Sequence, residues 1–130
     1  MTPLGRHIRM LRARKGVTQK QMAGELGVSA AWLSALEHGK RGRPSWEFQQ
    51  RLIQYFNIIW DEADELTDLV KISHPRIVVD TSGLSPEATE FANLVAERID
   101  AISPEDLDEL IHRIKVCSTS RPRKRKRFIE

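Results

Sequence analysis

The sequence predicts an all-α chain, in which five helices form an N-terminal domain and a linker leads to a C-terminal two-helix hairpin. Two observations carry this. Apolar residues recur three and four positions apart through most of the chain, which is the period of a helix that buries one face. Thr2, Thr18, Ser29, Ser45, Ser85 and Ser103 each stand just before such a run, where a hydroxyl can accept from the unpaired N–H groups of a first helical turn. At 130 residues the chain is one domain or a small domain with an appendage, long enough for a modest core.

The first helix is expected from Pro3 or Leu4 to Lys15, with Thr2 as cap and Pro3 where its missing N–H costs nothing. Leu4, Ile8 and Leu11 make its inward stripe and Gly16 ends it, while Arg6, Arg9, Arg12, Arg14 and Lys15 make a basic outer face. Thr18 with Gln21 is a capping box that opens a short second helix carrying Met22, Ala23 and Leu26. Gly27 then stands at a sharp turn that needs a positive φ. Ser29 caps a third helix with Leu33 and Leu36 on one side, and Gly39 stops it. Neither short helix is stable alone, so the two form a helix-turn-helix unit. Ser45 caps a fourth helix over residues 46–56, with Leu52, Ile53, Phe56 and Trp46 assigned to the core. A fifth follows Ile58-Ile59-Trp60, capped by Asp61, with Ala63, Leu66 and Val70 inward and an acidic outer face. These helices close a domain over residues 1–71.

His74-Pro75 interrupts the helical pattern, and Arg76-Ile77-Val78-Val79-Asp80 is a short β-branched run. Residues 72–83 are therefore a linker or a short edge strand, and in a dimer such a strand could pair with its twin. Ser85-Pro86-Glu87 and Ser103-Pro104-Glu105 then repeat one helix-start signal: hydroxyl, proline, acid. The helices expected over 86–102 and 104–116 carry Phe91, Val95 and Ile99, then Leu107, Leu110, Ile111 and Ile114, on one apolar side. A hairpin of residues 84–116 has little core of its own and must bury that side on the first domain or on a second copy.

Net charge is +3 but segregated: residues 1–56 hold ten Lys and Arg against three acids, residues 57–116 five against fourteen, and residues 117–130 six against one. The basic N-terminal segment suits phosphate binding, whereas the acidic middle is repelled from a duplex. The tail over 117–130, with its block from Arg121 to Arg127, is expected to be disordered, either as an arm on phosphates or as a solvated terminus. No apolar run approaches the length of a membrane span, and Met1-Thr2-Pro3 opens no signal peptide. With a lone Cys117, this fits a cytoplasmic chain. No nucleotide-binding glycine loop and no nucleophile beside a base point to an enzyme, and no cofactor is called for. His112 and Cys117 are two potential ligands, which do not make a metal site.

Residues Thr18 to Ser45 resemble the lambda-repressor-like helix-turn-helix domain of phage repressors, Cro proteins and the xenobiotic-response-element class of bacterial regulators. The likeness is carried by Thr18-Gln19, by Ala23 with Leu26-Gly27-Val28-Ser29, and by Leu33-Ser34, Leu36-Glu37-His38-Gly39-Lys40 and Pro44-Ser45. Flanking helices extend it to about residues 4–69, roughly half the chain, and it leaves the C-terminal half uncovered. The resemblance implies an ion pair between Arg12 and Glu37 that braces two helices. It implies a phosphate contact from Gln19 and a groove-facing surface of Ser29, Ala30, Ala31, Ser34 and Ala35. Known phage members carry longer polar side chains at several of these places. Here three alanines can only touch thymine methyls or allow close approach, so specificity needs shape readout as well. Trp32 is assigned to the sugar-phosphate backbone in preference to the core, Lys40 and Arg41 to phosphates, and Arg43 to a narrowed minor groove. The function implied is a sequence-specific double-stranded DNA-binding regulator, a repressor by family tendency, acting as a homodimer on a palindromic operator. The alternative is an antitoxin or partner-controlled regulator whose hairpin docks another protein.

Overall fold

The computed structural model describes residues 1–119, and among them it contains helices and connecting segments but no strand. The helices are α1 (Pro3–Lys15), α2 (Gln19–Leu26), α3 (Ala30–Glu37), α4 (Trp46–Phe56), α5 (Asp61–Lys71), α6 (Pro86–Arg98) and α7 (Pro104–Val116). One compact unit comprises Met1–Val78, and a second begins at Val79.

In the first unit α1 is the central element, packed against α3, α4 and α5. Leu4, Ile8 and Leu11 of α1 join Met22, Ala23 and Leu26 of α2, Leu33 and Leu36 of α3, Phe48 and Leu52 of α4, Ile58, and Leu66 and Val70 of α5 in one buried cluster. The start signals act as their chemistry dictates. Thr2 accepts the Gly5 N–H, Thr18 and Gln21 bond reciprocally, Ser29 accepts from Trp32, and Ser45 accepts from Phe48. At the end of α3, Gly39 has φ +80°, and the N–H groups of Gly39 and Lys40 reach back to the carbonyls of Leu36 and Ala35. Gly27 has φ +76° at the turn between α2 and α3.

Several expectations are corrected. Asp61 is the first residue of α5, not its cap; the cap position belongs to Trp60, with φ 55° and ψ −122° and no side-chain hydrogen bond. Inside the first turn the Asp61 carboxylate still complements the helix dipole. Trp46 is 66 % exposed and Trp60 80 % exposed, so neither is a core residue. The inward face of α4 is set instead by Phe48 and Leu52, four residues apart, and Trp46 lies off it. Beyond α5 the compact first unit runs on to Val78. Ser73 is buried, accepts the Leu4 N–H at 2.9 Å and donates to the Leu69 carbonyl, tying the end of α5 to the start of α1. Of the two alternatives held for residues 72–83, a linker or a short edge strand, the single chain forms no strand over 77–80.

In the second unit α6 stops at Arg98, and a 3-10 turn, Ile99–Ala101, replaces its expected last turn. The cause lies downstream: Ser103 must be extended to cap α7 before Pro104, and Ile102 is extended with it. α6 and α7 touch little beyond that corner. Phe91, Ile99, Leu110, Ile111 and Ile114 each keep 48–55 % of their surface exposed, and neither helix contains a buried residue. Val95 and Leu107 are half-buried. The basic block 121–127 lies outside the described residues.

Two features of the first unit have measurable consequences. A Cβ on Gly5 would lie 1.9 Å from the Glu37 carbonyl oxygen, so α1 and the end of α3 approach too closely for any side chain. Gly5→Ala is expected to lower the unfolding free energy by about 3 kcal/mol, measured in urea. The Tyr55 hydroxyl donates to the Glu25 carboxylate at 2.5 Å, joining α4 to α2. Burial, reinforced by that hydrogen bond and charge, pushes the phenol up from 10.0 to about 12. A raised folded-state value means the contribution to stability is intact below pH about 10 and is lost as pH rises through about 12. Since the chain has one tyrosine, its phenolate absorbance reports this directly. The midpoint should lie near 12 and fall toward 10 in Glu25→Gln.

Candidate nucleic-acid interface

The candidate interface is built by α2, α3 and the turn after α3, and Glu37 holds its frame. Glu37 is 1 % exposed at the last turn of α3, and its carboxylate bonds the Arg12 guanidinium from α1 through Oε2. Its other oxygen accepts from the Gln19 side-chain amide of α2 at 3.2 Å, and its backbone carbonyl accepts the Thr2 N–H at 3.2 Å. One residue thus joins the three N-terminal helices. The ion pair expected between Arg12 and Glu37 is present in the structure, and Gln19 belongs to the same network.

With its C-terminal end held, α3 presents its first turn outward. Ser29, Ala30 and Ala31 are exposed, whereas Ser34 and Ala35 are half-buried. The Ser29 hydroxyl is engaged as a cap by the Trp32 N–H at 3.0 Å. His38 continues the face of Ser34 one turn on, exposed, its Nδ1 2.9 Å from the Ser34 carbonyl oxygen. Sequence reasoning counted His38 in the family likeness but gave it no contact role, although its i+4 spacing from Ser34 was visible.

Trp32 does not stand out toward solvent. Its ring packs edge-on against Phe48, centroids 4.9 Å apart, and joins the margin of the core. The Arg41 guanidinium lies over that ring at 5.6 Å. Core packing, the lesser of the two expectations for Trp32, is what its ring does. Lys40, Arg41 and Arg43 are all exposed, and Arg43 also reaches the Lys71 carbonyl at the end of α5, at 3.4 Å.

Three further cations are engaged within the first unit. Arg14 pairs with Glu62 at 3.0 Å, Lys15 donates to the Tyr55 carbonyl at 3.1 Å, and Arg51 donates to the Leu26 carbonyl at the end of α2. These are braces, and Arg51 and Phe48 are structural supports that sequence reasoning did not single out. Among the described residues Lys20, Lys40, Arg41 and Arg43 have no carboxylate within 4 Å, so their charge is available to an external anion. The exposed acids Asp61, Glu62, Asp64, Glu65 and Asp68 lie on α5. Among the described residues no three His, Cys, Asp or Glu side chains converge, and no helix is long and apolar enough to cross a membrane.

The helix-turn-helix domain family matches residues 3–66. Over 74 residues the chain is 35 % identical to the HTH-type transcriptional regulator SlrR of Bacillus subtilis strain 168, covering 57 % of this chain and 47 % of SlrR. It is 43 % identical over 44 residues to the uncharacterized HTH-type transcriptional regulator RghRB of the same organism, covering 34 % and 32 % of the two chains. The aligned regions thus span half or less of the relatives they match. No solved structure matches.

The brace makes one quantitative demand. Glu37→Ala leaves the Arg12 guanidinium half-buried without its carboxylate and removes the acceptor for Gln19. Thermal or urea unfolding is expected to show a loss on the order of 3 kcal/mol, and a melt equal to that of the parent would refute the bracing role.

Proposed function

Residues 3–66 match the helix-turn-helix domain family, and from that match we propose that the chain is a lambda-repressor-like, Cro-related, sequence-specific double-stranded DNA-binding transcriptional regulator. It acts in the cytoplasm, at the nucleoid, as a homodimer on a palindromic operator, and it represses. The observation that carries the reading is α3 itself. Its N-terminal face is exposed, and its C-terminal end is fixed by Glu37 against α1 and α2. That is the geometry by which a recognition helix enters a major groove while the preceding helix crosses the backbone. The names of the two relatives, both transcriptional regulators, support it.

Each contact then has a chemical role. Thr18 takes the N–H groups of Gln21 and Met22 with its hydroxyl and carbonyl, leaving those of Gln19 and Lys20 at the positive end of α2 for a phosphate. With its amide nitrogen directed at Glu37, Gln19 has its oxygen and second N–H fixed in orientation at the same helix end. Ser29, Ala30, Ala31, Ser34 and Ala35 face base edges, where methyl groups favour thymine. Lys40 and Arg41 neutralise phosphates, and Trp32 positions Arg41 by carrying its guanidinium. Arg43 enters the minor groove. The exposed apolar residues of α6 and α7 cover one another across two copies, with Phe91, Val95, Ile99, Leu107, Leu110, Ile111 and Ile114 in the contact. A foreign protein on the same residues is the alternative.

Selection of bound duplexes from a random-sequence pool tests the reading. Two enriched half-sites about one helical turn apart are expected; binding without enrichment that vanishes as salt rises would overturn sequence-specific recognition. On the selected duplex, Arg43→Ala should weaken binding and lower the salt slope by about one ion, and an unchanged slope would remove Arg43 from the contact.

A further inference from the structure

The segment Arg76-Ile77-Val78-Val79-Asp80 leaves its three apolar side chains uncovered within the single chain. Val78 is 94 % exposed, Ile77 69 % and Val79 59 %, although β-branched residues are those that sheets recruit. After a bend at Arg76 the backbone of residues 77–80 has neither helix nor turn and no positive φ, and the backbone groups of residues 77–79 make no hydrogen bond among the described residues. Such a stretch is a template for a strand.

Its sequence says which strand. In an antiparallel pairing of two identical segments about a two-fold axis at Val78, residues whose numbers add to twice 78 stand opposite one another. Val78 meets Val78 of the second copy, Ile77 meets Val79, and Arg76 meets Asp80, twice. Opposite charges therefore coincide at both ends and apolar side chains throughout the middle, a self-complementarity that any shift of register destroys.

The hydrogen bonds already present select the phase of the ladder. The Arg76 N–H donates to His74 Nδ1 at 3.1 Å, so Arg76 cannot exchange backbone bonds with its partner. Pairs alternate along an antiparallel ladder, so Arg76–Asp80 and Val78–Val78 are then the non-hydrogen-bonded pairs, whose side chains lie closest. Ile77 and Val79 supply the four bonds of the ladder with their otherwise unused N–H and C=O groups. Asp80 Oδ1 accepts from the Ser82 N–H at 2.9 Å and from its hydroxyl, which fixes the carboxylate near the end of the segment.

We propose that residues 76–80 pair with the same residues of a second copy as a two-stranded antiparallel ribbon centred on Val78. A ribbon this short is marginal alone. It forms because contact through α6 and α7 raises the effective concentration of one segment at the other, so the proposal rests on the dimer reading above.

Cysteine cross-linking in the full chain carrying Cys117→Ser reads the register. Residues opposite one another at a non-hydrogen-bonded position have Cα atoms about 4.5 Å apart, within disulfide range. Val78→Cys should oxidise to a covalent dimer at least about tenfold faster than Ile77→Cys or Val79→Cys, because neither of the latter faces itself and each lies beyond the roughly 7 Å limit. An equimolar mixture of the Ile77→Cys and Val79→Cys chains should cross-link at close to the Val78→Cys rate. Equal rates at the three positions, or no preference for Val78→Cys in a chain that sediments as a dimer, would overturn the ribbon and leave the dimer intact. A chain that sediments as a monomer would overturn both. Charge offers an independent check on uncross-linked protein. Arg76→Asp and Asp80→Arg should each weaken self-association, and mixing the two chains should restore it, since each charge then meets its opposite. Failure of the mixture to recover would also refute the pairing.

Discussion

Everything in the first unit refers to the buried carboxylate of Glu37. Removing a carboxylate from water is expensive, and the structure offsets that by giving each oxygen a partner on a different helix, Arg12 of α1 and Gln19 of α2. The same residue's carbonyl receives the Thr2 N–H, and its backbone sits where Gly5 has no side chain. The start of one helix dipole thus meets the end of another, which adds complementary partial charge to the contact. Side chain, main chain and a missing side chain all fix the C-terminal end of α3. An eight-residue helix has no persistence of its own, so this anchoring is what gives its other end a defined direction.

That rigidity matters because the exposed end of α3 is chemically modest. Alanine methyls and a serine hydroxyl have short reach, and a contact made by a methyl group is lost when the helix drifts by an ångström. Long side chains could compensate for drift, but none stands at Ala30 or Ala31. The proposed interface therefore divides its work. Cations without carboxylate partners supply attraction from Lys20 and the turn after α3, and the fixed helix supplies fit. The N-terminal charge is not spread uniformly toward a ligand: Arg12, Arg14, Lys15 and Arg51 are committed inside the domain, and counting charge alone would overstate the number facing outward.

Much of this was legible because it is local. Helix starts depend on a hydroxyl and the N–H two or three residues away, so Thr2, Thr18, Ser29, Ser45, Ser85 and Ser103 could be read directly. Apolar spacing placed Leu4, Ile8, Leu11, Met22, Leu33, Leu36 and Leu52 in the core. What failed was set by distance in sequence. Ser73 is buried because of Leu4, and Trp32 turns inward because Phe48 offers it an edge. Gly5 looks like a weak helix residue until α3 is laid against it. Trp46 and Trp60 illustrate the converse, since hydrophobicity alone does not bury a residue that starts a helix on the wrong face or precedes it with a positive φ.

The second unit poses the opposite problem from the first: α6 and α7 are well capped, yet neither contains a fully buried residue. Good local signals specify the helices, and exposed Phe91, Leu110, Ile111 and Ile114 leave an apolar surface suited to the proposed contact. A second copy satisfies that demand with no further information, because a two-fold contact uses one patch twice. It also restricts the rest of the chain. One dimer has one two-fold axis, so a contact through α6 and α7 and a ribbon through Val78 must share it. Five residues separate Asp80 from Pro86, a span of at most about 22 Å when extended. In the proposed dimer both contacts would lie within that span of each other along a common axis, and each would strengthen the other by holding its partner near. A palindromic operator would then meet two recognition helices whose spacing is set through this axis, which makes the acidic, apolar half of the chain as much a determinant of specificity as the basic half.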